Sequence, residues 1–107
     1  MMDAGELLLS ASDAGHPLTV DGPVLVIPAE LPAMLRRDAA RLRYILVLLL
    51  SLPIARLCDD MTDDERDAFG ERAAILESDA GYPRDVAERA AVWWTRTPRD
   101  ERAAYAA

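Results

Sequence analysis

Apolar positions along the chain change their spacing from one block to the next, and each spacing predicts an element. In residues 3–14, Leu7, Leu8, Leu9 and Ala11 follow Asp3 and Glu6, and Gly15, His16 and Pro17 close the block. This predicts a short helix with Asp3 as N-cap and Gly15 as its stop. The next block alternates. Leu18-Thr19-Val20 and Val24-Leu25-Val26-Ile27 flank Asp21-Gly22-Pro23. Asp-Gly between two such runs is a strong hairpin signal. Pro23, which cannot donate to a ladder, is expected just after the turn, at a strand start or edge. With a period of two, Leu18 and Val20 share a face, as do either Leu25 and Ile27 or Val24 and Val26.

A connector at Pro28-Ala29-Glu30 leads into helical spacing: Met34, Leu35, Ala39, Leu42, Ile45, Leu46 and Leu49. These predict one long helix from about Pro32 to residue 50 or 52, with the proline in its first turn. Arg36, Arg37, Asp38, Arg41 and Arg43 form its polar side. From residue 45 to 50 that polar side vanishes. A helix apolar all round needs cover on every side, from the C-terminal segment or from a partner chain. Pro53 and Asp59-Asp60 mark a junction. Thr62 and Glu65 then form a capping box. The helix they start runs to about Ser78, with Phe69, Ala73 and Leu76 on one face. Asp79-Ala80-Gly81 is a turn. A further helix runs from residue 83 or 84 to 95, with Val86, Ala90 and Trp93 in a stripe. Thr97-Pro98-Arg99-Asp100 predicts a last short helix over about 98–105. The fold class expected is α+β, mostly helical: an α-β-β-α module in residues 1–57 and a helical module in residues 58–107, packed as one unit.

The chain has 107 residues, a formal net charge of -7 and a pI near 4.6. That balance argues against generic binding to nucleic-acid phosphates. All twelve basic residues are Arg. One cysteine, Cys58, permits no intramolecular disulfide, and with His16 as the lone histidine no His/Cys zinc site is expected. The apolar stretch 44–57 is broken by Pro53 and Arg56 and is shorter than the roughly 20 residues of a membrane span. The acidic N-terminus does not read as a secretory signal. A cytoplasmic protein without cofactor is the expectation.

Catalytic groupings find little support. Cys58 stands beside Asp59 and Asp60, which disfavour a thiolate. His16 precedes Pro17 in a turn, away from any nucleophile motif. A non-enzymatic binding protein is therefore expected, and the edge of the hairpin is the candidate surface. Unpaired amides there can take an extended peptide as a third strand. The predicted contact residues are Thr19, Val20, Val24 and Val26, with Val24 or Val26 supplying the outward amide. Arg36, Arg37 and Arg41 would pair acids on the peptide. Trp93 and Trp94 lie about 100° apart on a helix, so one belongs to the core and Trp94 is assigned to a contact. The apolar helix 44–52 offers a homodimer surface.

Two other readings remain open. Asp59, Asp60, Asp63, Asp64 and Glu65 lack EF-hand spacing. They could imitate phosphates in another protein's nucleic-acid channel, as in an anti-CRISPR-like inhibitor of a host defence complex. Gly81-Tyr82-Pro83-Arg84 between two helices could be the turn of a DNA-binding regulator, with Arg84 and Arg89 toward phosphates, although Asp85 and Glu88 would repel them.

Residues 3–52, through LTVDGPVLVIP and LPAMLRRDAARLRYILVLLL, resemble the TubC N-terminal docking domain family. The resemblance rests on Asp21-Gly22, the strand ending at Pro28, and Leu31-Pro32 before a Leu-rich helix. Where that family carries a polar His-Lys pair, this chain has Leu42 and Arg43. The resemblance implies an α-β-β-α fold that recruits a partner peptide on its hairpin edge, with charged side chains tuning the match. The segment ERAAILESDAGYPRDVAERAA resembles a short helical module of phage and mobile-element proteins, carried by Glu71, Arg72, Ile75, Glu77, Gly81 and Arg84 among others. It implies a phage or mobile-element setting. A fainter similarity links its helix–Gly turn–helix to ubiquitin-associated domains.

Overall fold

The structure is a computed structural model, and it describes residues 2–96. The first helix, α1 (Ala4–Asp13), begins with the expected cap. Asp3 Oδ1 accepts from the Glu6 amide at 2.8 Å, and Glu6 Oε1 accepts from the Asp3 amide at 3.2 Å. This reciprocal pair satisfies two of the amides that a helix start leaves open. The helix ends where Gly15 takes a φ of 81°. The His16 amide then returns to the Ala11 carbonyl at 3.1 Å. That closing bond needs a residue tolerant of positive φ.

Strands β1 (Thr19–Asp21) and β2 (Val24–Val26) pair antiparallel, with Thr19 opposite Val26, Val20 opposite Leu25 and Asp21 opposite Val24. Gly22 and Pro23 form the turn, so Pro23 lies inside it rather than after it. Gly22 has a φ of 59°. An Asp-Gly centre would put positive φ on both residues. Proline at the second position fixes a negative φ there. Only the first turn residue is then left-handed, and Asp21 is drawn into the strand.

The predicted long helix is two: α2 (Ala33–Arg41) and α3 (Arg43–Ser51). Leu42 leaves helical geometry at φ -101° and ψ 17°. Two backbone bonds at 3.0 Å, Leu42 to Asp38 and Leu46 to Leu42, bridge the break. The result is a kink. It lets α2 lie against α1 while α3 meets the hairpin and α6 (Arg84–Arg96). Among the described residues the cover of residues 45–50 is partial, and no partner chain is present to supply the rest. Leu46 and Leu49 are buried, and Ile45 and Leu50 pack beside them, but Tyr44 is 78% and Leu48 56% exposed. Among the described residues the hairpin and α6 shelter α3 along Leu46 and Leu49, while Tyr44 and Leu48 stay exposed.

After a short turn of helix, α4 (Ile54–Leu57), comes α5 (Asp63–Ser78), capped by Thr62 and Glu65 as expected. Helix α6 is the central wall, packing against α1, α3, α4 and α5. Its inward residues are Ala87, Ala90, Ala91, Val92 and Trp93. The small Ala side chains let neighbouring helices approach closely. One cluster of buried residues joins both halves, with Leu7, Leu18, Leu46 and Leu49 from the first and Val92 and Trp93 from the second. The last expected helix, 98–105, lies outside the described residues.

Arginine side chains tie these elements at their ends. Arg89 of α6 donates from Nη1 to the carbonyls of Leu49 at 2.5 Å and Leu52 at 2.7 Å. These carbonyls close α3, where a helix lacks internal partners and carries partial negative charge. Arg96 likewise reaches the Leu57 carbonyl at 2.9 Å. Arg66 reaches those of Met61 and Asp59.

Trp94 is seated over Gly5 of α1. A Cβ built on Gly5 would stand 2.9 Å from the indole ring. Alanine normally stabilises a helix interior by about 1 kcal/mol over glycine. Here overpacking outweighs that gain, so Gly5→Ala is expected to cost about 1–3 kcal/mol. Urea denaturation measures it. The penalty should shrink in a Trp94→Leu background, where the ring is gone.

Candidate docking edge

The hairpin rests on α3 by one face. Leu25 and Ile27 pack onto the core, while Val24 and Val26 on the outer face are 61% and 41% exposed. Leu18 is buried, Val20 half-buried and Thr19 exposed. The register fixes which amides point outward. In a two-residue hairpin the residues flanking the turn, Asp21 and Val24, exchange hydrogen bonds. Bonded and non-bonded pairs then alternate, so Thr19 and Val26 bond again, while Val20 and Leu25 do not. The amides of Val24 and Val26 therefore face β1, contrary to the expectation that one of them supplies the open edge. That edge on β2 belongs to Leu25, and on β1 to Val20. Among the described residues no hydrogen bond reaches either peptide group from elsewhere in the chain.

The two edges have different surroundings. Beside β2 lies a groove of about 390 Å³, lined on the strand side by Pro23, Val24, Leu25 and Ile27. Its other wall is the α2–α3 kink, through Ala40, Arg43, Tyr44 and Val47. Ala40 of α2 and Tyr44 and Val47 of α3, on either side of the break at Leu42, form its floor. Beside β1 a smaller groove of about 280 Å³ is framed by Leu8, Leu18, Thr19, Val86 and Arg89. Those residues come from α1, α6 and the start of β1.

The predicted charged partners are placed differently from the expectation. Arg36 is exposed, but its Nε donates to the Leu31 carbonyl at 3.0 Å. Arg41 donates to the Met2 carbonyl at 3.2 Å and lies 3.8 Å from Asp38. Both are engaged in holding the N-terminal strap and the entry to α2. Arg37 is exposed and does not line the groove. The cation at the groove is Arg43, 5.1 Å above the Tyr44 ring. Trp94 is not an open contact. It is half-buried on Gly5, its Nε1 donates to Asp3 Oδ2 at 3.3 Å, and Arg72 lies 5.6 Å over its ring. Leu25, Arg43, Tyr44 and Val47 were missed as site residues. The signals available were the alternation at Leu25 and the lapse of the polar side at Tyr44.

Elsewhere the titratable groups serve the framework. Burial pushes the Cys58 thiol above its ordinary pKa, with Arg66 and Arg96 opposing the shift. A neutral buried thiol is a poor nucleophile. A hydrogen bond from Arg96 holds Asp60 below the usual carboxylate value. That link contributes stability above the ordinary aspartate range and loses it as pH falls through the lowered value. Tyr82 donates to Asp13 at 2.8 Å, which raises its phenol pKa and ties the α5–α6 turn to the end of α1. Among the described residues no group of three or more His, Cys, Asp or Glu is placed to hold a metal ion, and no helix is long and apolar enough to cross a membrane. The arginines of the DNA-binding alternative are also occupied. Arg84 pairs with Glu88 at 3.5 Å. Arg89 is 12% exposed in its side chain and turned onto α3 and Asp85.

No family model, no curated protein and no solved structure matches the chain.

The alternation of bonded and open amides gives a direct expectation. By NMR hydrogen exchange, the Val24 and Val26 amides should exchange more slowly than those of Val20 and Leu25. Equal or greater protection at Leu25 would mean that its edge is already closed in the free protein.

Proposed function

We propose that this protein is a non-enzymatic docking protein that captures an extended segment of a partner protein as a third strand beside β2. The observation that carries this reading is the outward peptide group of Leu25, opening onto the groove floored by Ala40, Tyr44 and Val47. A third strand would continue the ribbon over that floor. Its side chains on the Leu25 side would meet an apolar surface, and those on the other side would lie beside Val24 and Val26. A carboxylate on the segment would find Arg43. Each backbone hydrogen bond contributes about 0.5–1.5 kcal/mol net, and an exposed ion pair about 0–1 kcal/mol. Pro23 lacks an amide hydrogen, so the ladder is short. Recruitment of modest affinity follows. The resemblance of residues 3–52 to the TubC docking family supports the same mode of capture, and that of the second half supports a phage or mobile-element setting.

A second reading is favoured by α5. Asp63, Asp67 and Glu71 are exposed at intervals of four residues, spaced about 6 Å apart along the helix axis. Such a stripe suits a basic, nucleic-acid-binding partner, as an inhibitor would require. Binding of that kind weakens steeply with salt, whereas backbone pairing does not.

The test uses selection of extended peptides from a random displayed library. The expected binders alternate apolar residues and include an acid. Leu25→Pro should abolish their binding by removing the outward amide. Leu25→Ala, which keeps that amide, should weaken it only several-fold. Circular dichroism confirms the fold of each variant. Failure to enrich any extended peptide, or equal binding by the folded Leu25→Pro variant, would overturn the proposal.

A further inference from the structure

The strand wall of the groove beside β2 alternates. Three of its four residues, Pro23, Leu25 and Ile27, are two apart in the chain and so share one side of the ribbon. Leu25 and Ile27 pack onto the core from that side, whereas Val24 is exposed on the other. The helix wall keeps a period of its own. Ala40 stands three and four residues before Arg43 and Tyr44, and Val47 three and four after Tyr44 and Arg43, so the four form one face carried through the break at Leu42. Their sizes differ. Ala40 is exposed and is the wall residue with no side chain beyond Cβ. Arg43 and Tyr44 present flat groups, a guanidinium over a ring that is itself open to solvent.

We infer that the groove is an anchor site: it takes one aromatic side chain of the captured segment, the one opposite Leu25, and Ala40 sets the space for it. The inference rests on the docking proposal and names the chemistry of the partner segment. Residues opposite each other on neighbouring strands point to the same face of a sheet, whether the third strand runs parallel or antiparallel. The partner residue opposite Leu25 therefore points as Leu25 does, toward the helix wall. The residues before and after it turn to the outer face with Val24. The rung at Leu25 is also the centre of a short ladder, because Pro23 and Pro28 on either side of it have no amide hydrogen. A ring held on that rung meets the Tyr44 ring and the Arg43 guanidinium. Both favour an aromatic neighbour over an aliphatic one, through edge-to-face and cation–π contacts. A larger side chain at position 40 would fill the space that the ring requires.

Extended peptides selected from a random displayed library on the unsubstituted protein are the probes. They should share Phe, Tyr or Trp at one position. Replacing that residue by Ala should weaken binding about 10- to 100-fold, the range for uncovering one large apolar side chain. The same change at the two flanking positions should weaken it far less. Nuclear Overhauser contacts from the ring to the Ala40 and Val47 methyl groups should place it on the helix wall. Ala40→Leu puts another good helix former at an exposed position, so the fold should survive, as circular dichroism checks. This variant should lose the aromatic peptides by a similar factor and select small residues at the anchor position instead. Peptides that are lost on Leu25→Pro, yet show no aromatic preference or bind Ala40→Leu unchanged, would overturn this inference and leave the docking proposal standing. An aliphatic anchor with the same dependence on Ala40 would overturn the aromatic assignment. Binding that survives Leu25→Pro, or no enriched extended peptide at all, would overturn the docking proposal and this inference with it.

Discussion

A two-stranded ribbon of three residues a side cannot hold itself in water, so the candidate docking edge exists only because the helices hold it. Leu25 and Ile27 fix the ribbon to α3. Helix α3 is fixed in turn by Leu46 and Leu49, which share a cluster with Val92 and Trp93 of α6, and by Arg89 on its last carbonyls. The chain of support runs from the C-terminal half to the hairpin. This gives the second half a mechanical role in any function of the first. It also explains how one strand edge can remain open. The ribbon is secured through a face, and its rims are not needed for anchorage.

Arginine is the recurrent connector in this small molecule. Arg36, Arg41, Arg66, Arg89 and Arg96 each donate to a backbone carbonyl outside their own turn of helix. A planar guanidinium with five donors can serve two carbonyls at once, as Arg89 does, and its long stem covers apolar surface on the way. Used in this way, the arginines close helix ends and loops that a short chain has few other means to satisfy. Arg43, at the kink and over Tyr44, is the one beside the groove.

The parts of the fold legible in the sequence were those set by local chemistry. Asp3 and Glu6, Thr62 and Glu65, Gly15 and Gly81 mark helix ends through bonds formed within a few residues. The alternation from Leu18 to Ile27 marked the hairpin. What escaped depended on contacts between distant segments. The carbonyls that engage Arg36 and Arg89 cannot be read from the arginines themselves, and the seat of Trp94 on Gly5 spans nearly the whole chain. The kink at Leu42 has neither proline nor glycine to announce it. The turn register slipped by one residue because Asp-Gly was weighed without the negative φ that Pro23 imposes. That single step moved the outward amide from Val24 or Val26 to Leu25, and with it the centre of the candidate site.

The central claim is that a partner's backbone joins the peptide group of Leu25. Scalar coupling across hydrogen bonds reports this directly. With labelled protein and a labelled selected peptide, the account predicts a coupling between the Leu25 amide nitrogen and a peptide carbonyl carbon, absent from the free protein. A saturated complex in which Leu25 shows no such coupling, while other residues register the bound peptide, would contradict it.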